Sequence, residues 1–191
     1  MKRFIAGLIL ASITGIAGAQ TWVTNAVPGG TFDESDPAFP DITNSPASGG
    51  GTFVFSFPQT GGNPGGYAKI DGTASGSGWA VIVLGNSTPI DLATLGLAPN
   101  VPCTFLMDMK IASGSTIGGL KVESWGPAGK ISDTGEVRPA SGTGNWVTYS
   151  FPFTPAPSAT GVKIVPLWGA NSVVDYDNVK VVAAASIPLS P

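Results

Sequence analysis

The amino-acid sequence predicts an all-β protein, an antiparallel β-sandwich of about eight or more strands. The first observation is compositional: 27 glycines and 17 prolines accompany only 11% charged residues, which is typical of short strands joined by tight turns. The second is periodic, because apolar and polar residues alternate along most of the chain between residues 52 and 182. The hydrophobic fraction of 42% argues against disorder, so we expect one domain over residues 20–183 and a flexible tail over residues 184–191.

Residues 1–19 predict a cleavable secretory signal. Lys2 and Arg3 precede an apolar run, and the small residues Ala17-Gly18-Ala19 stand directly before Gln20. That run is too short for a membrane span, and no later segment reaches the roughly 20 apolar residues that a span needs. We therefore expect cleavage before Gln20 and a secreted, extracellular bacterial product.

Charge and residue usage exclude several functional classes. The formal net charge is −3 and becomes −5 once Lys2 and Arg3 are removed, which argues against a nucleic-acid partner. The sequence contains no histidine, which excludes Ser-His-Asp catalysis, Cys-His catalysis and imidazole-ligated zinc. Cys103 is the single cysteine, so it forms no internal disulfide, and its strand-like surroundings favour a buried thiol over an intermolecular bridge.

Eight segments of the mature chain are predicted to be strands, each bounded by Gly, Pro, Asn or Asp. They are residues 52–57, 66–71, 79–84, 101–111, 119–125, 146–153, 161–168 and 172–182. The preceding stretch, residues 22–51, is polar and rich in Pro and Gly, and it predicts one short strand at most. Residues 89–97 are a short helical candidate, although we favour an irregular crossover.

One predicted strand, residues 119–125, carries an unusual polar face. Side chains alternate between the two faces of a strand, so Leu120 and Val122 point to the core. The opposite face then carries Lys121, Glu123 and Trp125. A tryptophan among charges on a solvent-facing surface indicates a binding site, although a tryptophan that caps the core at its rim fits the same pattern.

A Gly- and Ser-rich stretch, residues 113–119, predicts that this strand forms a hairpin with the strand before it. In that preceding strand, Asp108 and Lys110 point away from the apolar residues at alternate positions. The hairpin would place both of them beside Glu123 and Trp125 in one polar patch.

Two short acidic motifs lie near the two ends of the mature chain. Asp33 and Glu34 end the segment 28–34, and Asp177 lies within the segment 175–181. If the first and last strands of a sandwich lie side by side, these carboxylates meet around a hard cation, which takes several oxygen ligands. The motifs therefore indicate a metal site, with two unrelated surface turns as the alternative.

The end motifs, together with the Trp-Val-Thr-Tyr-Ser-Phe strand at residues 146–151, resemble the jelly-roll carbohydrate-binding modules of the family 4, 9, 16 and 22 type. The resemblance covers nearly the whole mature chain and implies an antiparallel β-sandwich of jelly-roll type, a galactose-binding-like fold. Those modules often begin with Gly-x-Phe-Glu and close on an Asp-Asp-Val strand, and an acid from each commonly holds a structural calcium. Here Asp33 stands where Glu is usual and Asn178 where a second Asp is usual. The resemblance thus implies a structural Ca2+ held by Asp33 and Asp177, with Glu34 as a substitute ligand.

The resemblance also implies a mode of ligand binding. In such modules sugar rings stack on Trp or Tyr faces, while Asp, Glu, Lys, Asn and Gln hydrogen-bond the hydroxyls. A polysaccharide or glycan is therefore the expected partner. The candidate binding residues are Trp125, Glu123, Lys121, Asp108 and Trp168. Trp79 and Trp146 each begin a predicted strand and are expected to pack in the core.

Two other functions compete with a non-catalytic binding module. A retaining glycosidase needs two carboxyl groups about 5 Å apart. Glu136 lies in a loop-like segment, and the Glu-x-Asp-x-x-Glu strand motif of the family 16 glycosidases is absent, so we do not expect an enzyme. The main alternative is an extracellular structural subunit of a surface layer, matrix or filament. Low charge and high apolar content favour that alternative, which would involve self-association.

Overall fold

The computed structural model describes residues 22–39, 43–45, 51–113, 115, 118–139, 141–167 and 170–184. Within these residues, twelve strands form two antiparallel sheets that pack against each other around a shared core. The predicted fold class, an all-β antiparallel sandwich of jelly-roll type, is confirmed. The predicted leader and the tail beyond Ala184 lie outside the described residues.

The strands are β1 (Trp22–Ala26), β2 (Thr43–Ser45), β3 (Val54–Ser56), β4 (Ala68–Asp71), β5 (Val81–Val83), β6 (Ile90–Asp91), β7 (Cys103–Ile111), β8 (Gly119–Gly126), β9 (Gly129–Asp133), β10 (Trp146–Phe153), β11 (Gly161–Leu167) and β12 (Val173–Ala184). Sheet A has the order β10-β7-β12-β4-β3, and β1 also pairs with β12. Sheet B has the order β2-β5-β11-β8-β9, and β6 also pairs with β11.

All eight predicted strands are present, and each begins and ends within two residues of its predicted bounds. The described part of residues 22–51 holds two strands, β1 and β2, where the sequence predicts at most one. The crossover over residues 89–97 contains β6 and a 3-10 turn, Ala93–Leu95. The sequence does not predict strand β9, because β9 is an edge strand with mostly exposed side chains and no apolar alternation. Its pairing with β8 defines it.

The core lies between the sheets and takes alternate residues from each strand. Phe105 and Met107 of β7 are fully buried, and Val122 of β8 faces them from the other sheet. The hydroxyl of Tyr176 in sheet A donates a 2.5 Å hydrogen bond to the carbonyl of Leu167 in sheet B. Burial of each large apolar side chain contributes about 1.5–3 kcal/mol, which explains why the period-2 pattern predicts the strands well.

The predicted hairpin between β7 and β8 is wrong. Strand β7 pairs with β10 and β12 in sheet A, whereas β8 pairs with β9 and β11 in sheet B. The connection crosses between the sheets because the apolar faces of both strands cover the same core. Gly118 lies on this crossing, where a Cβ would be 3.1 Å from side-chain atoms of Met109 and Val174. Asp108 and Lys110 therefore lie on the outer side of sheet A, away from Trp125.

Cys103 begins β7 and its side chain is buried. Burial raises the pKa of its thiol to about 12, so the reactive thiolate is absent at mildly alkaline pH. We expect no reaction with a colorimetric thiol reagent at about pH 8 in the folded protein, and full reaction after addition of denaturant. Rapid modification of the folded chain would contradict this packing.

Among the described residues, no helix has the length and apolarity that a membrane crossing requires.

Candidate ligand-binding cleft and candidate metal centre

A cleft of about 200 Å³, the Trp125 cleft, lies on the outer face of sheet B. It crosses β5, β11 and β8, three neighbouring strands whose other faces are buried in the core. Since side chains alternate along a strand, the residues between the core positions line this outer face. The lining residues are Trp79, Val81, Val83, Asn86, Lys121, Glu123, Trp125, Lys163 and Val165.

Glu123 is the polar centre of the Trp125 cleft, and only 8% of the residue is exposed. Its Oε1 lies 2.8 Å from the Nζ of Lys121, and its Oε2 accepts a 3.0 Å hydrogen bond from the Nε1 of Trp125. The Nζ of Lys130 on β9 lies 3.7 Å from the same carboxylate. Burial by itself raises the pKa of Glu123, but the hydrogen bonds from Lys121 and Trp125 outweigh it, so the pKa lies below its ordinary value.

The indole of Trp125 is held in one orientation. Its N–H donates to Glu123, and the Nζ of Lys163 lies 4.3 Å from the ring centroid in a cation–π contact. Lys163 is itself positioned by a 2.6 Å hydrogen bond from its Nζ to the carbonyl of Asn86. A ring that is already ordered loses little conformational entropy when a ligand binds it.

The expectation that Trp79 packs in the core is wrong. The residue is 40% exposed, and it lines the Trp125 cleft beside Val81 and Val83. Alternation in this segment could have revealed it, because Ala80 and Ile82 are fully buried and a period of two then places Trp79 on the outer face. The sequence, however, shows no polar alternation in this segment, because Val81 and Val83 on the outer face of sheet B are apolar as well. The outward position of Trp79 is therefore not evident from the sequence alone.

The floor of the Trp125 cleft is a small apolar cluster, separate from the main core, that includes Val81, Val83 and Val165. The indoles of Trp79 and Trp125 line the cleft above this floor. The ammonium groups of Lys121 and Lys163 and the carboxylate of Glu123 line the same cleft. This arrangement suits a flat ring that has an apolar face and a polar rim, which is the distribution in a pyranose.

Asp108 does not join the Trp125 cleft. On sheet A its carboxylate accepts hydrogen bonds from Thr148 Oγ1 at 2.5 Å, Asn178 Nδ2 at 3.0 Å and Asn63 Nδ2 at 3.2 Å. These contacts tie Asp108 to the region of the acidic end motifs. Trp168, the remaining predicted binding residue, lies outside the described residues.

The two acidic end motifs meet at the loop 61–66. Asp33 Oδ1 accepts a 2.5 Å hydrogen bond from the backbone N–H of Gly66, and Asp177 Oδ2 accepts one of 2.5 Å from Asn63. Asp177 lies directly opposite Asp108 in the register of β12 and β7. The fold therefore brings together carboxylates from the beginning, the middle and the end of the domain.

The electrostatics of this cluster suit a cation. Burial raises the pKa of Asp177 to about 6; backbone hydrogen bonds from Asn63 and Asn178 oppose the rise, and the nearby carboxylates of Asp108 and Asp33 add to it. Neighbouring carboxylates repel one another, and a bound cation relieves that repulsion.

Only part of the predicted ligand set converges on this loop. The side chain of Glu34 is exposed, and its backbone N–H donates to Gln59 Oε1 at 2.7 Å. In the part of the chain that the structure describes, no group of three His, Cys, Asp or Glu side chains is arranged to hold a metal ion. A cation bound by Asp33 and Asp177 would therefore need backbone carbonyl oxygens as further ligands, which calcium accepts.

Gly62 makes the close approach of the loop to Asp177 possible. A Cβ at this position would lie 2.1 Å from the backbone oxygen of Gly66 and 2.8 Å from Asp177 Oδ2. We expect Gly62→Ala to lower the free energy of unfolding by about 2 kcal/mol, as at other overpacked sites, in urea unfolding. Gly76→Ala is the matched control, since a Cβ there meets nothing within 4 Å. Equal stability of the two variants would contradict tight packing of the loop.

No protein-family model matches the sequence, and no curated protein matches it. Solved structures match it in fold. The enzymatically active domain of tailspike protein 4 from bacteriophage CBA120 matches with a TM-score of 0.60 and 13% identity over 82% of this chain and 21% of that chain. The CBM22-1 and GH10 modules of endo-1,4-β-D-xylanase 10B from Clostridium thermocellum, complexed with xylohexaose, match with a TM-score of 0.53 and 14% identity over 84% and 28%. The CBM22-1–CBM22-2 tandem domain of Xyn10C from Paenibacillus barcinonensis matches with a TM-score of 0.51 and 15% identity over 93% and 50%.

These matches define a class of fold. At 13–15% identity they show a shared fold, and two of the three structures contain family 22 modules. The predicted resemblance to jelly-roll carbohydrate-binding modules is therefore confirmed at the level of fold. The chain spans only 21%, 27% and 28% of the first three matching structures, which are larger proteins.

Proposed function

We propose that this protein is a secreted, non-catalytic carbohydrate-binding module that binds polysaccharide in the Trp125 cleft. The observation that carries the proposal is the presence of two indoles, Trp79 and Trp125, on one cleft with the ion pair of Lys121 and Glu123. The fold supports it, since the xylanase that shares this sandwich is complexed with xylohexaose. Secretion is supported by the leader-like residues 1–19.

The charge states in the cleft support binding without cleavage. A glycosidase needs a carboxylic acid with a raised pKa to protonate the leaving group. The pKa of Glu123 is lowered despite its burial, and hydrogen bonds from Lys130 and Gly135 lower the pKa of the neighbouring Asp133. Glu136 lies apart in an exposed ion pair with Arg138. Glu123 and Asp133 are therefore ionised acceptors of hydrogen bonds near neutral pH.

A structural calcium bound at the loop 61–66 is the second part of the proposal. Asp33 and Asp177 would supply carboxylate oxygens from the two ends of the domain, and the raised pKa of Asp177 supports a cation between them. Glu34 would become a ligand if its exposed side chain turned toward the loop. The ion would link the first and last motifs to sheet A and would have no role in catalysis.

The direct test is binding of the mature chain to an array of plant, algal and bacterial polysaccharides. We expect retention by at least one β-linked polysaccharide with a flat, hydroxylated surface. Failure to bind any of them, in a sample shown to be folded by circular dichroism, would contradict the proposal.

Binding is expected to be independent of pH between about 5.5 and 8. The sequence has no histidine, and the lowered pKa of Glu123 keeps this carboxylate ionised throughout that range. Because the pKa of Glu123 is lower in the folded state, its contribution to stability is present at neutral pH and is lost only as the pH falls through the folded pKa. Calorimetric titration at three pH values tests this, and a fall in affinity toward pH 5.5 would show that another titrating group takes part.

A structural subunit is the second candidate function, and the edges of the sheets favour it. Trp22 and Val23 on β1 are 53% and 43% exposed, and Val54 on β3 and Ile131 on β9 are also exposed. Apolar side chains on edge strands can pair with another chain. Size-exclusion chromatography with light scattering distinguishes the two candidate functions. A monomer supports the binding module, and a polymer that does not bind glycans supports the structural subunit.

A further inference from the structure

Sheet A carries a row of side chains on the face opposite to the core. The row begins at Trp146 of β10; the expectation that Trp146 packs in the core is wrong, because it lies on the outer face, directly opposite Lys110 of β7. Lys110 is opposite Asp175 of β12, and Asp175 is opposite Lys69 of β4. Residues directly opposite each other in antiparallel strands project from the same face of the sheet. With about 4.8 Å between neighbouring strands, the row extends about 14 Å across the sheet.

A second cleft, the Asp175 cleft, follows this row and has a volume of about 340 Å³. Tyr67, Lys69, Lys110 and Asp175 line it. The rings of Tyr67 and Trp146 meet edge to face, with 5.8 Å between their centroids. Tyr67 precedes β4 and Trp146 belongs to β10, so the two rings meet above the intervening strands. They form an aromatic wall in which Tyr67 lines the cleft and Trp146 packs against Tyr67.

Asp175 has an acceptor with no partner. Its side chain is 9% exposed, and its Oδ1 is the buried side-chain oxygen without a hydrogen bond among the described residues. The nearest cation, Lys110 Nζ, lies 3.7 Å from Oδ2, which is longer than a hydrogen bond. A buried acceptor without a donor destabilises the free protein. Asp175 lines the cleft but Oδ1 itself is buried, so a small rotation of the carboxylate toward the cleft is needed before a ligand hydroxyl can donate to it and restore the missing hydrogen bond.

The charges along the row are balanced. Lys110 lies beside Asp175, and Lys69 Nζ lies 3.8 Å from Asp71 Oδ2. The carboxylates of Asp175 and Asp71 would repel a polyanion. A neutral saccharide can instead donate hydrogen bonds from its hydroxyl groups to Asp175 and accept hydrogen bonds from the two lysines. The aromatic wall suits the apolar C–H face of a sugar ring.

We propose that the Asp175 cleft is a second binding site, which takes a neutral, hydroxyl-rich saccharide chain on the face opposite to the Trp125 cleft. A hydroxyl of the saccharide donates to Asp175, Lys69 and Lys110 donate to its oxygens, and the rings of Tyr67 and Trp146 contact its apolar face. One molecule thus has two saccharide sites on opposite sides of the sandwich and can hold two chains together.

The test uses the variant Trp79→Ala/Trp125→Ala, in which the Trp125 cleft is disabled, and calorimetric titration with xylohexaose, cellohexaose and mannohexaose. We expect residual binding of at least one neutral hexaose, weakened about tenfold by the further change Trp146→Ala and similarly by Asp175→Asn. Adding Trp22→Ala instead, an exposed tryptophan outside both clefts, should leave the residual binding unchanged. Circular dichroism verifies that each variant is folded.

Three results would overturn the proposal. The double variant could bind no neutral hexaose, its residual binding could survive both Trp146→Ala and Asp175→Asn, or hexagalacturonic acid could bind it more tightly than every neutral hexaose. The proposed function fails separately: it predicts that Trp146→Ala in the otherwise native chain still binds polysaccharide through the Trp125 cleft. Loss of all binding in the double variant therefore removes only the second site.

Discussion

Trp125→Ala is expected to weaken polysaccharide binding about ten- to a hundredfold, which is the usual cost of truncating a central aromatic residue in a binding site. The indole is ordered in advance by Glu123 and Lys163, so its removal deletes a stacking surface that needs no rearrangement. Calorimetric titration with the best polysaccharide or oligosaccharide from the array measures the effect. The melting temperature should change little, because the indole lies outside the main core.

Trp22→Ala is the matched control for that experiment. Trp22 is more exposed than Trp125 and lies on β1 of sheet A, away from the Trp125 cleft. We expect its affinity to equal that of the native chain. If both variants bind equally well, Trp125 is not part of the site.

Removal of calcium with a chelator is expected to lower the melting temperature by about 5–10 °C relative to a sample with calcium at a hundred times its dissociation constant. A ligand of the folded state stabilises it by mass action, and under those conditions the gain is about 2.7 kcal/mol. Asp177→Ala should abolish the difference between the two melts, because Asp177 supplies a fully buried carboxylate at the loop 61–66.

The control for the calcium experiment is Asp91→Ala, which removes an exposed carboxylate on β6 in sheet B. This variant should keep the full difference between calcium and chelator. Identical melts of the native chain with and without chelator would contradict the calcium proposal and leave the carbohydrate proposal untouched.

The strands could be predicted because their information is local. The alternation in β8 places Leu120 and Val122 in the core and Glu123 and Trp125 outside it, and the structure agrees. Which strands pair with each other, in contrast, depends on contacts between residues that are distant in the sequence. The turn after β7 has the composition of a hairpin, yet β8 joins the other sheet because the apolar faces of both strands must cover one core.

The candidate sites were predictable only in part for the same reason. The end motifs indicate that Asp33 and Asp177 approach each other, but the position of Asp108 opposite Asp177 follows from strand register alone. The sequence around Trp79 predicts a core position because the strand that follows it is apolar on both faces. The row of side chains that ends at Trp146 depends on three strand pairings, which alternation within single strands does not specify.

The most direct test of the central claim, that the Trp125 cleft binds saccharide, is a nuclear magnetic resonance titration of the isotopically labelled mature chain with an oligosaccharide of the bound polysaccharide. If the Trp125 cleft binds saccharide, the indole N–H signals of Trp79 and Trp125 and the amide signals of β5, β8 and β11 shift at the lowest saccharide concentrations. Saturable shifts confined to other surfaces, or no shift with any saccharide tested, would contradict it.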